Sequence, residues 1–124
     1  MVVGVADRPG QLIRAAGMMF LSPEGRVLLL RNASTGEWVF PGGAVQNGED
    51  PAIVAIRETH AETGYWAGHS GSFHIRRISD GVDLTVFRYD CDSEFVPKLN
   101  AAENSAYAWL SPTEALDEPD DDAG

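Results

Sequence analysis

The 124-residue chain predicts an α/β domain built on a mixed β-sheet. Three observations lead there. Short β-branched and aromatic runs, each bounded by turn residues, lie on both sides of one long helical segment. That segment, Ala52 to Thr63, carries an N-cap at one end and a glycine stop at the other. A second, shorter helical segment follows the last strand. Strands interleaved with helices imply a sheet with helices layered against it.

The elements follow in order. Residues 1–10 read as a loose arm, with Val2, Val3 and Val5 able to add a short edge strand. Leu12 to Leu21 reads as a strand in which Gly17 marks a bulge or a close approach. Ser22-Pro23-Glu24-Gly25 is a turn. Arg26 to Arg31 is almost wholly apolar between its arginines, as a strand buried on both faces would be. Trp38 to Phe40 is a short strand leading to Gly42 and Gly43, where the missing side chains let the backbone bend. Asp50 is a good N-cap, Pro51 suits the first helical position, and Gly64 is a natural stop. On the helix, Ala52, Ala55, Ile56 and Thr59 share the core side. Gly64 to Ala67 opens the next extended segment. Phe73 to Ile78 and Val82 to Cys91 read as strands joined by a hairpin at Asp80-Gly81. Glu94 to Asn104 is a loop, Tyr107 to Leu110 a last strand, and Ser111 caps a short final helix. The acidic tail, 118–124, reads as flexible.

Bulk properties bound the function. The length fits one domain, 1–124, with one core. A net charge of −10 argues against a nucleic-acid backbone binder and against an anionic-membrane binder. An anionic substrate must therefore be met by local cations or a metal. Cys91 is the sole cysteine, which excludes an internal disulfide and fits a reducing cytoplasm. No basic, apolar leader and no run of about 18 apolar residues is visible.

The chemistry concentrates between Gly42 and Tyr65. Glu58 and Glu62 lie four apart, so on a helix they point about 40° from one another. Two carboxylates on one face repel, and a hard divalent cation, Mg²⁺ or Mn²⁺, removes that repulsion. Glu49, just before the N-cap, is placed to brace the loop by pairing with Arg57. The bland alternative for a Glu pair at this spacing is a solvated helix face.

The pattern Gly43, Glu49, Arg57-Glu58, Glu62, Gly64-Tyr65 resembles the Nudix box of the Nudix hydrolases, and Trp38-Val39-Phe40-Pro41-Gly42 resembles the segment that precedes it. Two positions depart: Thr59 stands where the box has an apolar residue, and Ala61 where it has a glutamate. The resemblance implies an α/β/α sandwich over roughly residues 12–117 and hydrolysis of a pyrophosphate bond in a nucleoside diphosphate-linked compound. It implies metal ligation by Glu58 and Glu62, with the Gly43 carbonyl, and a ligand or bracing role for Glu49. The general base is then Glu58 or a glutamate of a later loop, for which Glu103 is the candidate. Arg57 is a brace or a phosphate contact. Trp38 and Phe40 are core residues or stack a base. Arg76 reaches a substrate phosphate or forms a surface ion pair. Alanine cannot bind a metal, so three readings of Ala61 stand open: a working enzyme of weaker metal affinity, a nucleotide-binding module without catalysis, or an engineered inactive variant. Markers of the ADP-ribose and dinucleoside polyphosphate subfamilies are missing, with Asp80 and Val82 in their places, which leaves a nucleoside triphosphate as the favoured substrate. A short closing helix leaves part of the sheet open and is compatible with a homodimer.

Overall fold

The computed structural model describes residues 12–68 and 74–117. The arm at 1–10 and the tail at 118–124 lie outside the described residues, as does Phe73. The elements are β1 (Ile13–Leu21), β2 (Val27–Asn32), β3 (Trp38–Val39), β4 (Gly42–Ala44), α1 (Pro51–Thr63), β5 (His74–Ser79), β6 (Val82–Asp90), β7 (Asn104–Leu110) and α2 (Pro112–Asp117). The strands form one mixed sheet in the order β3-β2-β1-β6-β5, with β4 also pairing β1 and β7 pairing β2. Strands β1 and β6 run parallel, and the other pairs are antiparallel. Helix α1 packs on β1, β4 and β6, and α2 on β2 and β7.

The core lies where α1 meets the sheet. Met18, Phe20, Leu28, Leu30 and Val54 are fully buried there. Phe20 stands at the centre of an aromatic cluster, edge-on to Tyr65, Tyr89 and Phe95 at 5.2–5.8 Å between ring centroids. The Trp109 indole packs edge-on to Phe95 and donates its N–H to the Phe95 carbonyl at 3.0 Å. Strand β2 is buried on both faces from Val27 to Leu30, as its apolar run requires.

Local chemistry sets the ends of α1. The Asp50 side chain accepts from the Ala52 amide, and Gly64 adopts φ 77°, a left-handed conformation that costs glycine little. The buried positions are Val54, Ala55, Thr59 and Thr63, whereas Ala52 and Ile56 are only partly covered. Thr59 and Thr63 tolerate burial because each hydroxyl donates back into the helix, to Ala55 O at 2.7 Å and Thr59 O at 2.6 Å. Thr59 thus serves as an apolar residue with a satisfied hydroxyl.

Three expectations about elements need correction. Gly42 and Gly43 do not bend the chain; they lie in β4, with Gly42 opposite Gly17 and Gly43 opposite Ala16. Their lack of a Cβ serves close approach instead. A Cβ on Gly42 would run into the Ala16 carbonyl and stand 2.6 Å from the Gly17 Cα. Gly17 is likewise a close approach, with Pro41 O 2.9 Å from where its Cβ would be. Second, residues 65–68 form no strand. Tyr65 turns inward to stack on Phe95. Third, β7 begins at Asn104, three residues before Tyr107, because its polar start still pairs with β2. The hairpin at Asp80-Gly81 is as read, with φ of 53° and 79° and Ser79 opposite Val82.

Candidate functional site

The site is assembled by β4, the middle of α1 and the loop entering β7. At Gly42, strand β4 lies against β1 too closely for a side chain, and α1 packs over β4. A Cβ on Gly43 would sit 2.8 Å from Glu58 Cγ and 2.9 Å from Glu58 Oε1, so the missing methyl is the space the Glu58 side chain occupies. One turn further along, Glu62 Oε1 accepts the Gly42 amide hydrogen at 2.7 Å, and Glu62 Oε2 faces Asn104 Nδ2 at 3.5 Å. The loop carrying Glu103 and Asn104 is held by the Ala33 amide, which donates to Glu103 O at 2.8 Å.

Arg57 ties the loop to the helix. Its guanidinium donates to Glu49 Oε2 at 2.8 Å and to Glu58 Oε2 at 3.0 Å. The other Glu49 oxygen accepts the Gln46 amide at 2.9 Å, closing the loop before the helix. The Arg57 bond, then the Gln46 amide, holds the Glu49 carboxyl below the usual carboxylate range.

Glu62 behaves in the opposite way. Burial pushes its carboxyl up to about 7. The Gly42 and Asn104 donors oppose that rise, and the charges of Glu103 and Glu58 add to it. This is a partly buried carboxylate with two hydrogen-bond donors and acidic neighbours. Taking a carboxylate out of water is costly unless a positive charge compensates.

The two carboxylates suit a divalent cation. They are hard oxygen ligands, and such a cation can be held by one or two carboxylates plus phosphates and water. The set is not a closed cage: among the described residues, no three Asp, Glu, His or Cys side chains converge as metal ligands. Glu58 is engaged by Arg57 and Glu62 by Gly42, and Ala61 beside them is exposed.

The sequence-predicted residues therefore divide. Gly43, Glu49, Arg57, Glu58 and Glu62 come together as one group, and the charge of Glu103 is felt at Glu62. Trp38 is only 6 % exposed, which leaves little ring face for stacking a base, and its indole N–H is buried with no partner among the described residues; Phe40 is half-buried. Arg76 is held by Asp83 across the β5–β6 pair, with both contacts at 2.7–2.8 Å, so its charge is already met. It lines a cavity of about 530 Å³ together with Arg14, Thr85, Phe87 and the start of α1, and neither Glu58 nor Glu62 lines that cavity. The residue that sequence reasoning passed over is Asn104. The only signal for it was a polar residue directly after Glu103.

Comparison with known proteins agrees with this geometry. The NUDIX domain model matches residues 11–124. A MutT-like protein of Streptomyces ambofaciens is 29 % identical over 107 residues, spanning 86 % of this chain and 68 % of the relative. A hydrolase of Streptomyces rubellomurinus, named for CMP-5'-(N-acetyl-N-hydroxy-3-aminopropyl)phosphonate, is 35 % identical over 53 % of this chain and 40 % of its own length. A putative 8-oxo-dGTP diphosphatase of Bacillus subtilis is 25 % identical over 80 % of this chain and 66 % of its own length. Among solved structures, the Ap4A hydrolase of C. elegans superposes with a TM-score of 0.70 at 21 % identity, covering 86 % of this chain and 85 % of that one. The MutT protein of Methanosarcina mazei gives 0.68 at 23 %, covering 91 % and 86 %; at such identities the likeness is one of fold. With the model match running from before β1 to the end of the chain, and its glycines, Arg57, Glu58 and Glu62 gathered at one place, the chain belongs to the NUDIX domain family, the Nudix hydrolases.

Proposed function

We propose that this protein hydrolyses a pyrophosphate bond in a nucleoside diphosphate-linked small molecule, with a nucleoside triphosphate as the first choice of substrate. The observation that carries the reading is Glu62, a carboxylate pushed up to about 7 by burial and set beside Glu58 over β4. Glu58, Glu62 and the Gly43 carbonyl would hold Mg²⁺ or Mn²⁺, which when bound neutralises phosphate charge and activates water. Glu49 and Arg57 fix the loop, and Arg57 also orients Glu58. Glu103 is exposed in the turn before β7, its charge acts on Glu62, and it would accept a proton from the attacking water. Relatives named for 8-oxo-dGTP and for a CMP-linked phosphonate support a nucleotide. No helix among the described residues is long and apolar enough to cross a membrane, and Cys91 is a buried free thiol; both fit the cytoplasmic setting we propose.

Ala61 favours a second reading, a nucleotide-binding module without turnover. It leaves a solvent-facing position of α1 with no ligand beside Glu62. A panel of nucleotides with Mg²⁺ or Mn²⁺ separates the two. The hydrolase reading expects product from wild type and about a hundredfold less from Glu62→Gln. Equal background release from both, together with retained nucleotide binding, would establish the module.

A further inference from the structure

Asn104 is 3 % exposed, a depth at which a polar side chain has to find a partner inside the protein. Its side-chain amide faces Glu62 Oε2. The path of β7 explains why it is there. Strand β7 pairs with β2 in regular register from Leu110 back to Ala106 opposite Arg31. The register then shifts, so that Asn32 faces Asn104 and Ser105 is passed over. A bulge of this kind re-aims the side chains beside it. Immediately before it, the Asn104 amide closes a turn on Asn100 O at 2.9 Å, which anchors the residue from the loop side as well.

We propose that Asn104 is a positioning residue for Glu62, aimed at it by the bulge at Ser105. The idea rests on the hydrolase reading above and deepens it. Glu62 is then held from two directions. The β4 backbone donates to Oε1 through Gly42, and the β7 side chain donates to Oε2 through Asn104. An amide suits the task because it donates a hydrogen bond without adding a charge, whereas an acid at 104 would add a third negative group beside Glu58 and Glu103. The role matters more in this chain because position 61 offers no carboxylate to share the work. Losing an outer partner that orients a metal-binding side chain typically costs about 10–100-fold in metal affinity or activity.

Asn104→Leu tests the proposal, since leucine keeps the branched shape, though it is larger, and removes the donor. Three measurements are read on wild type and variant. Direct Mn²⁺ binding without nucleotide, followed by electron paramagnetic resonance, is expected to weaken about tenfold. Turnover is expected to fall by a similar factor, with KM for the nucleotide changing less. Hydrogen exchange of the Gly42 amide, in metal-free protein, is expected to quicken as Glu62 loses its second anchor. A variant that folds, binds Mn²⁺ like wild type and protects Gly42 equally well would overturn the proposal. Should Asn104→Leu fail to fold, Asn104→Asp reports on the same Gly42 amide and Mn²⁺ affinity, and unchanged values there would also overturn it. If wild type itself neither binds Mn²⁺ nor turns over a nucleotide, the hydrolase reading fails, while the Gly42 exchange still decides whether Asn104 positions Glu62.

Discussion

Glu62 on helix α1 accepts the backbone hydrogen of Gly42 on strand β4 at 2.7 Å, twenty residues away along the chain. This bond joins the helix that supplies the carboxylates to the strand that passes beneath them. It also places one oxygen of a partly buried carboxylate against a backbone dipole and leaves the other facing Asn104.

The protonation of Glu62 makes metal-free stability depend on pH. In the unfolded chain its carboxyl titrates at the ordinary 4.5, and in the fold at about 7. Between those values the native state holds a proton that the unfolded state has lost. The stability contributed is therefore full below the lower value and disappears as pH rises through the upper one. Integrated across the window, the effect is on the order of 3 kcal/mol. Thermal melts in chelator should show Tm falling from pH 5 to pH 8. Glu62→Gln should flatten the slope, and added Mg²⁺ should reduce it by replacing the proton.

The two glycines of β4 should fail differently. A methyl on Gly42 meets backbone at Ala16 and Gly17, which cannot swing aside. Gly42→Ala is expected to cost about 1–3 kcal/mol of folding stability, measured by urea denaturation. The nearest atoms to a methyl on Gly43 are those of the flexible Glu58 side chain. Gly43→Ala should fold with nearly the wild-type midpoint and show weaker Mn²⁺ binding, because Glu58 is displaced.

Arg57 pairs with Glu49 and Glu58 on an exposed surface, where ion pairs contribute little to stability. Arg57→Ala should leave Tm close to wild type. Turnover should fall about tenfold, as the loop and Glu58 lose their common anchor. Raising ionic strength in the wild type should have a smaller effect in the same direction.

Position 61 is open to solvent on α1, so a longer side chain meets no packing obstacle. Ala61→Glu should fold normally and lower the Mg²⁺ concentration needed for half-maximal activity. A gain from undetectable turnover would identify the wild type as a binding module, and a modest gain from a measurable rate would identify it as a working hydrolase.

The local features of α1 were legible in the residues. Asp50, Pro51 and Gly64 act within a turn of where they stand, and the spacing of Glu58 and Glu62 follows from helix geometry alone. The same holds for the Asp80-Gly81 hairpin and for the buried run of β2, where neighbouring residues suffice to set the conformation. The Glu49–Arg57 pair was legible too, since the two residues are only eight apart, across the helix cap and nearly two turns.

What tertiary structure decided depends on residues far apart in the chain. Gly42 and Gly43 look like bend residues in isolation, and only the pressure of β1 and α1 on either side shows that they are needed for close approach in an extended strand. Thr59 and Thr63 are covered only because the sheet packs on α1, while their hydroxyls are satisfied locally by the carbonyls four residues back. Sequence leaves Arg76 open between a phosphate contact and an ion pair until Asp83 is found across the hairpin, and Trp38 open between core and stacking until the fold covers it. The partner of Glu62 on β7 is set by a register shift, and no local signal encodes a shift of that kind. A chain's own stereochemistry dictates caps, turns and helix faces, whereas a carboxylate's environment is made by whatever distant segments the packing brings against it.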